Sequence, residues 1–541
     1  MPSQVPEPAN GQSYEPRRPE RTLLYRLVSD HLETFLEQAR ESHDRGLPRY
    51  VERELRKYLK CGIHAYGFLR ALCKSCGRSL LVAFSCKRRG VCPSCNARRM
   101  CATAAHLVDR VIPDVPLRQW VLSVPFELRL TLARRADALS AVGRIFVEEI
   151  FRWQRERARE WGIAQSRSGA VQFPQRFGGS LNLNVHYHVV VPDGVFTRST
   201  AGEQAEFHRL MRPDLTELGD IAFNTSMRVQ RWLRRNGLLV DPADAHFSNE
   251  TPERAALDAC LEGSIGLGEL TSLSDDADAG AHADGDELPR PERRARRGGH
   301  HRGFDVHAGV VVAASNRKGR EKLFRYCARP PLSLERLSVT PEGMVAYRLR
   351  KPRNPERTHR VMTPMQFMAR LAALVPPPRR PLIRFHGVFA PHSAWRSSVV
   401  PACSGAAPGE HAAGGSTMPD AETDLEAERS KAPRGDGSAA LRRHVEEPPD
   451  EQPPSSAEPD HAARRAQVAA SGYIDWAELL KRIYDVDALA CPCGGRLRFI
   501  ALVTEKETAQ TILEAMGLPT DAPPIARARS PDFIDDPAPD W

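Results

Sequence analysis

The run that most constrains the fold of this chain is LNLNVHYHVVVPDGVF, residues 181–196, which is apolar and rich in β-branched residues. Such a run is typical of a buried strand, and its Pro-Asp-Gly turn signal ends the strand at the surface of a sheet. Alternate side chains of a strand project to one face, so His186 and His188 point together while Tyr187 points away. Two imidazoles about 7 Å apart can share one cation, with a third ligand from elsewhere. The alternative is a pair of ordinary strand histidines.

Length and composition allow a large folded protein with a modest positive charge. The chain has 541 residues, of which 41% are hydrophobic, enough for about two to four domains. Its net charge of +9 is spread over the whole chain and is weak evidence for a nucleic-acid partner. No apolar run reaches the ~18 residues that a membrane span needs, and the N-terminus is polar and proline-rich rather than signal-like. These features predict a cytoplasmic protein without a membrane partner.

Seven of the 12 cysteines lie between Cys61 and Cys101. In a reducing compartment such a cluster is more typical of metal binding than of disulfides. Two CxxC pairs are separated by 15 residues, the interval expected when two knuckles close on one zinc. The sequence therefore predicts a zinc ribbon with the ligands Cys73, Cys76, Cys92 and Cys95. Cys61, Cys86 and Cys101 are left over, and Cys86 either joins a second site or replaces a knuckle ligand.

Basic residues surround the predicted ribbon, namely Lys87, Arg88, Arg89, Arg98 and Arg99. Zinc ribbons with Arg and Lys on their turns commonly contact phosphates, so this surface is predicted to bind DNA. The alternative is that this basic surface is exposed to solvent and binds no DNA.

Composition and periodicity divide the chain into a series of segments. Residues 271–302 carry an acidic block and then a basic block without apolar periodicity, and residues 402–470 are rich in Pro, Ser, Gly, Glu and Ala. The terminal Cys491-Pro-Cys493 has one residue between its cysteines, which makes a poor zinc knuckle, so an unmetallated or partial site is expected there. The predicted divisions are a disordered lead-in (1–20), a helical and zinc-binding DNA-binding domain (21–110), a mixed domain (115–270 and 303–400), a flexible insertion (271–302), a disordered linker (402–470) and a small C-terminal segment (471–520).

The mixed domain begins with a predicted strand at residues 120–129, a long amphipathic helix at 137–161 and then the histidine strand. This order predicts a sheet with helices on one face. Residues 317–327 are helix formers that end before two prolines, which places Tyr326 near a helix end between Arg325 and Arg329. A tyrosine in such a place is most often a core residue.

Several phrases, in the same order, resemble the HUH-class rolling-circle transposases of the insertion-sequence family numbered ninety-one and its common-region relatives. The phrases are SCKRRGVCPSCNARRM, WVLSVPF, QRFGGSLNLNVHYHVVVPDGVF, LFRYCARPPLSLERL, FHGVFAPHSAWRSSVVP and WAELLKRIYDVDALACPCGG. The resemblance implies an α+β fold in which an HUH nuclease-like antiparallel sheet with packed helices follows an N-terminal zinc ribbon. It places the two histidines on a central strand and the tyrosine on a neighbouring helix of the catalytic domain.

The resemblance also implies an activity, that of a metal-dependent tyrosine nuclease and strand transferase. His186 and His188 would hold Mg²⁺ or Mn²⁺, zinc would fill the ribbon, and Tyr326 would attack a DNA phosphate with Arg325 and Arg329 beside it. Attack would leave a 5′-phosphotyrosine and a free 3′-hydroxyl on single-stranded or hairpin ends of the element. A protein of this kind would be cytoplasmic and nucleoid-associated when bound to DNA.

The sequence departs from the family pattern at two places, and two other functions are compatible with the same motifs. The positions four residues to either side of Tyr326 hold Lys322 and Pro330, so the chain resembles the single-tyrosine branch. The terminal CPCGG is one residue shorter than the usual CxxCGG. A replication or mobilisation initiator would use the same chemistry, and a zinc-dependent DNA-binding protein with a silent nuclease centre would keep the motifs. The sequence does not fix the third metal ligand: His307, on a predicted strand, is either that ligand or a core or DNA-facing histidine.

Overall fold

The computed structural model describes residues 14, 16–198, 204–238, 255–265, 298–350, 358–401 and 475–529. All of them belong to one compact unit, whereas the second unit, Cys403–Tyr473, falls outside the described residues together with the predicted linker and nearly all of the predicted insertion. In the described part of the chain, no helix combines the length and the apolar character that crossing a membrane requires.

The N-terminal region consists of three helices and a hairpin. Their bounds are α1 Leu23–Ser42, α2 Arg49–Lys60, β1 Phe68–Cys73, β2 Ser79–Ala83 and α3 Pro93–Arg110. The Thr22 side chain accepts a hydrogen bond from the Tyr25 backbone N–H and so caps α1. Because proline suits the first helical turn, α3 begins at Pro93, and Cys95 therefore lies inside a helix rather than on a free knuckle.

The central region alternates strands and helices. Its bounds are β3 Leu117–Ser123, α4 Phe126–Arg134, α5 Ala136–Glu160, β4 Gly169–Phe177, β5 Leu183–Pro192, β6 Gly194–Thr197, β7 Glu206–Arg209, α6 Leu215–Arg235, α7 Ala255–Ile265, β8 Gly299–His301, β9 Phe304–Val312, α8 Arg317–Cys327, β10 Leu337–Val339, β11 Val345–Arg348, β12 His359–Met362, α9 Pro364–Leu374, β13 Arg384–Gly387 and α10 Arg396–Val399. The long helix and the helix that ends at Cys327 are confirmed. The predicted strand at 120–129 is wrong beyond Ser123, because Pro125 caps α4 and turns the chain into a helix.

A six-stranded sheet with the order β13-β4-β5-β3-β9-β8 forms the centre of the molecule, and all of its pairs are antiparallel. The histidine strand β5 lies inside the sheet, between β4 and β3. An α+β fold with an antiparallel sheet and a central histidine strand is therefore confirmed. Residues 299–301, expected to belong to the flexible insertion, instead form β8 and pair with β9.

Helices cover both faces of this sheet, so the prediction of helices on one face is wrong. All ten residues of β5 are buried, and a strand that is apolar on both sides needs cover on both sides. On one face Val185, Tyr187 and Val189 join a core with α5. The helix can approach this closely because Gly143 has no side chain, and a Cβ there would lie only 2.9 Å from the Tyr187 ring. On the other face Val190 joins a core with α3 and α8.

The C-terminal segment completes the N-terminal hairpin rather than standing apart. It contains α11 Trp476–Tyr484, β14 Leu497–Val503 and α12 Lys506–Ala515. Strand β14 pairs antiparallel with β1, from Phe68 opposite Val503 to Cys73 opposite Leu497, and forms the three-stranded sheet β14-β1-β2. The two ends of the chain therefore build one ribbon.

Candidate active site and metal centres

The two histidines of β5 project together from the sheet, as the alternation predicts. Their ring centroids are 5.0 Å apart, and the residues are 4% (His186) and 1% (His188) exposed. The intervening Tyr187 lies on the opposite face, where its hydroxyl donates to the Leu139 carbonyl of α5 at 2.8 Å. The pair faces the layer of α3 and α8.

Hydrogen bonds orient both rings. His186 Nδ1 lies 3.1 Å from the Asn184 carbonyl oxygen, which can only accept, so Nδ1 carries the proton and Nε2 carries the lone pair. The Gln119 side-chain amide nitrogen, Nε2, lies 2.8 Å from His188 Nδ1 and donates to it, which leaves the ring proton of a neutral His188 on Nε2. Turning the Gln119 amide by 180° would present its oxygen to Nδ1 and free the His188 Nε2 lone pair for an ion. Burial, His186 and Arg329 all lower the pKa of His188 well below its ordinary value, so the ring is neutral at pH 7. A neutral imidazole is the form that binds a metal.

The residue that sequence reasoning missed is Gln175 on β4. It lies directly opposite His186, is 4% exposed, and donates from Nε2 to the Cys327 carbonyl of α8 at 2.7 Å. Its Oε1 and the Nε2 of His188 are buried without a hydrogen-bond partner among the described residues. Two such atoms on neighbouring strands fit a divalent ion, since an amide oxygen and imidazole nitrogens are ligands that Mg²⁺ or Mn²⁺ accepts. A buried Gln in an apolar strand indicates a metal ligand only once the strand register shows that it lies opposite a histidine.

No third histidine or carboxylate joins this pair in the described part of the chain. His307 lies on β9 opposite Val121, which in turn lies opposite His188, so β3 separates the two histidines. The donor set that the structure offers is therefore His186, His188 and Gln175.

Tyr326 is brought to the histidine pair by α8. This helix is capped by Asn316, whose side chain accepts from the Gly319 backbone N–H, and Phe324 anchors it in the core. The half-buried Tyr326 ring lies edge-on to His188, with centroids 5.4 Å apart, and the Arg329 guanidinium lies 4.9 Å from the Tyr326 ring centroid. The structure thus brings together the tyrosine, one arginine and the histidines that the sequence singled out.

The cysteines form two four-residue clusters, and this corrects the prediction that Cys73, Cys76, Cys92 and Cys95 share one zinc. The buried cluster consists of Cys61, Cys86, Cys92 and Cys95, and the ribbon cluster consists of Cys73, Cys76, Cys491 and Cys493. Cys95 lies in α3 next to the end of α2, whereas Cys73 ends β1, so the two CxxC pairs point to different places. The expectation of a partial site at Cys491 and Cys493 is wrong for the same reason, because Cys73 at the end of β1 and Cys76 in the following turn supply the missing pair.

The sulfur separations fit zinc in both clusters. In the buried cluster Cys61–Cys95, Cys86–Cys95 and Cys92–Cys61 are 3.7, 3.5 and 3.6 Å apart. In the ribbon cluster Cys73–Cys493 and Cys76–Cys491 are 3.6 and 3.5 Å apart. A tetrahedral ion with Zn–S bonds of about 2.3 Å separates its sulfurs by about 3.8 Å. A disulfide would need about 2.05 Å.

The loop that carries the buried cluster is held by one carboxylate. The Glu54 side chain of α2 accepts from the backbone N–H groups of Gly90 and Val91 at 2.6 and 3.3 Å. The Asn96 side chain of α3 donates to the Gly90 carbonyl at 2.7 Å. These bonds hold the loop that leads into Cys92 and the start of α3.

Comparison with protein families gives two matches. Residues 169–397, which include β4, β5 and α8, match the family model Y2_Tnp, described as "Putative transposase". Residues 27–124, which include the buried cluster, match the model described as "Transposase zinc-binding domain". In these two regions the chain is similar to IS91-type transposases, with a transposase catalytic domain and a transposase zinc-binding domain. A search of curated proteins and a search of solved structures found no match to this chain.

The basic residues around the buried cluster differ in what they contact. Lys87 is exposed, and its carbonyl accepts from Arg99 at 2.9 Å. Arg89 donates to the carbonyls of Arg380 and Pro377 at 2.7 and 2.9 Å, so its guanidinium is committed to the protein. Arg88, Arg98 and Arg325 are half-buried, as is Arg99. Lys87 is the most accessible of these cations.

Proposed function

We propose that this chain is a transposase that nicks and rejoins single-stranded DNA by rolling-circle transposition, with Tyr326 as the nucleophile of an HUH-type catalytic domain. The observation that carries the proposal is the packing of Tyr326 against His188, on the sheet face that also carries His186 and Gln175. The position of Tyr326 beside two buried imidazoles and an arginine supports phosphate chemistry rather than core packing alone.

The covalent step balances without an external energy source. The phenolic oxygen of Tyr326 bonds to phosphorus and its proton leaves to water, while the bond between phosphorus and the 3′ oxygen breaks and that oxygen takes up a proton. The products are a 5′-phosphotyrosine and a free 3′-hydroxyl. Because the phosphodiester is exchanged for another phosphate ester, a DNA hydroxyl can reverse the step and join strands without ATP.

The groups that hold the proposed Mg²⁺ or Mn²⁺ are His186, His188 and the Gln175 oxygen. The bound ion would withdraw charge from the scissile phosphate. The protein contributes rigidity, since both histidines lie on an inner strand and each ring is fixed by a second hydrogen bond. The Arg329 guanidinium lies 4.9 Å from the Tyr326 ring centroid, and a guanidinium is a group that pairs readily with phosphate oxygens.

The proposed DNA path uses unpaired or hairpin ends. Tyr326 is half-buried on α8, and a backbone phosphate reaches it more readily from a flexible single strand than from a duplex. Lys87, Arg88, Arg98, Arg99 and Arg325 are the proposed phosphate contacts. Arg89 has a separate role, that of holding the loop of the buried cluster against residues 377–380.

Substitution of a histidine tests this function. His188→Ala is expected to abolish nicking of labelled single-stranded ends while leaving DNA affinity within about twofold, since the basic residues lie elsewhere. Tyr187→Phe is the matched control, because it is equally buried on the same strand and faces the other layer. Loss of DNA binding in proportion to the loss of nicking by His188→Ala would contradict the proposal.

A further inference from the structure

The ribbon cluster takes two ligands from each end of the chain. Cys73 and Cys76 come from the N-terminal hairpin, and Cys491 and Cys493 come from the turn before β14. The matched zinc-binding family ends at residue 124, so half of this site lies outside it. Strand β14 pairs with β1 along its full length, which brings the two cysteine pairs together.

Strand β14 by itself attaches the C-terminal segment weakly to the N-terminal hairpin, because few of its side chains are buried. Only Leu497 and Val503 of β14 are buried, whereas Phe499, Ile500 and Leu502 are exposed. Two small apolar clusters add further contacts, one between α12 and the β1–β2 hairpin and one made of Ala71, Cys73, Cys491 and Leu497. Small ribbons with so little core generally depend on their metal.

The same segment reaches the nucleophile helix through one arginine. Arg482 of α11 donates to the Asp109 carboxylate of α3 at 2.6 and 3.0 Å. It also donates to the Glu321 carboxylate of α8 at 2.7 and 3.1 Å. Glu321 is buried and lies on the same helix as Tyr326. Arg482 therefore joins the helix of the buried zinc cluster to the helix of the nucleophile.

We propose that zinc at the ribbon cluster of Cys73, Cys76, Cys491 and Cys493 clasps residues 476–503 onto the N-terminal ribbon, and that the clasped segment positions α8 through Arg482. The ribbon zinc is thus a second metal site with a positioning role, remote from the reacting atoms. Its effect on activity rests on the proposed function, whereas its effect on zinc content and on local opening does not.

The test uses the full chain in four forms: wild type, Cys491→Ser/Cys493→Ser, Arg482→Gln and the combined variant. Zinc per chain, by elemental mass spectrometry, is expected to fall from two to one in the cysteine variants and to stay at two in Arg482→Gln. Hydrogen exchange in α11 and α8 is expected to rise in all three variants. Formation of a covalent DNA adduct at saturating DNA is expected to slow about tenfold with unchanged DNA affinity, as expected for misplacement of a reacting group.

The combined variant separates a shared path from two independent defects. If the zinc acts through Arg482, the combined variant is no slower than the slower parent, because both remove the same connection. Arg496→Gln is the matched control, since its ion pair with Asp487 lies in the same segment, is exposed and touches neither α3 nor α8. It should retain two zincs and the wild-type rate.

Several results would overturn the proposal. Zinc content that stays at two in the cysteine variants, exchange in α8 that does not change, or rate losses that multiply in the combined variant would each do so. Absence of any adduct in wild type would instead defeat the proposed function, and the zinc content and exchange data would still decide whether the clasp exists.

Discussion

Replacement of Gln175 by methionine gives a prediction with two separable parts. The first part is structural, because Gln175→Met leaves the Cys327 carbonyl without its 2.7 Å donor next to Tyr326. A buried acceptor left unpaired costs about 1–3 kcal/mol of the free energy of unfolding. The second part concerns the metal, because the Oε1 donor is lost while both histidines stay. Loss of one supporting group typically weakens metal affinity about 10–100-fold, or about 1.4–2.7 kcal/mol.

The assay pairs a Mn²⁺ titration, followed by electron paramagnetic resonance, with urea unfolding. Gln172→Met is the matched control, since Gln172 is fully buried on the same strand and donates to the Gly143 carbonyl of α5 at 2.8 Å on the other face. It should lose a similar amount of stability and keep its Mn²⁺ affinity. Gln175→Glu should lose the Cys327 hydrogen bond yet bind Mn²⁺ at least as tightly as wild type. Wild-type Mn²⁺ affinity in folded Gln175→Met would refute the assignment of this oxygen as a donor.

The remaining predictions concern charge, pH and zinc. Lys87→Met should lower the salt dependence of DNA binding by about one phosphate contact. Arg89→Met should leave that salt dependence unchanged and lower the free energy of unfolding by about 1–2 kcal/mol, because it removes two hydrogen bonds within the protein. Anisotropy titrations at several salt concentrations measure the salt dependence, and a smaller one in Arg89→Met would contradict the assignment. Burial and Arg384 lower the pKa of His386 to about 4, so its contribution to stability is present above pH 6.5 and is lost as the pH falls towards 4. Wild type should therefore lose about 1–3 kcal/mol more than His386→Gln over that range in urea unfolding, and equal losses would refute the reasoning. A chelator should remove one zinc quickly from the ribbon cluster, where Cys76 and Cys493 are exposed, and the second slowly from the buried cluster; release of both in one phase would contradict this.

The local parts of this structure could be predicted from the sequence. The β5 strand, the direction of its two histidines and the α8 helix with Tyr326 near its end all follow from alternation, helix formers and two prolines. These features depend on neighbours within about ten residues. The helix predicted at 137–161 was predictable for the same reason, and it is α5 in the structure.

The parts that could not be predicted depend on pairings that are distant along the chain. The grouping of the cysteines required the pairing of β1 with β14, more than 400 residues apart, as the separation of 420 between Cys73 and Cys493 shows. Gln175 became visible only through the register that places it opposite His186. Helix cover on both faces followed from burial of every β5 position, which an alternating pattern alone does not reveal.

The central claim is that Tyr326 forms a covalent bond to DNA, and one measurement tests it most directly. Purified protein is mixed with labelled single-stranded DNA from the ends of its own element, with and without Mn²⁺, and the products are separated under denaturing conditions. Wild type and Tyr66→Phe, which changes an exposed tyrosine of the N-terminal region, should give a protein–DNA adduct only with Mn²⁺, and Tyr326→Phe should give none. An adduct in Tyr326→Phe, or none in wild type although the DNA is bound, would contradict the account.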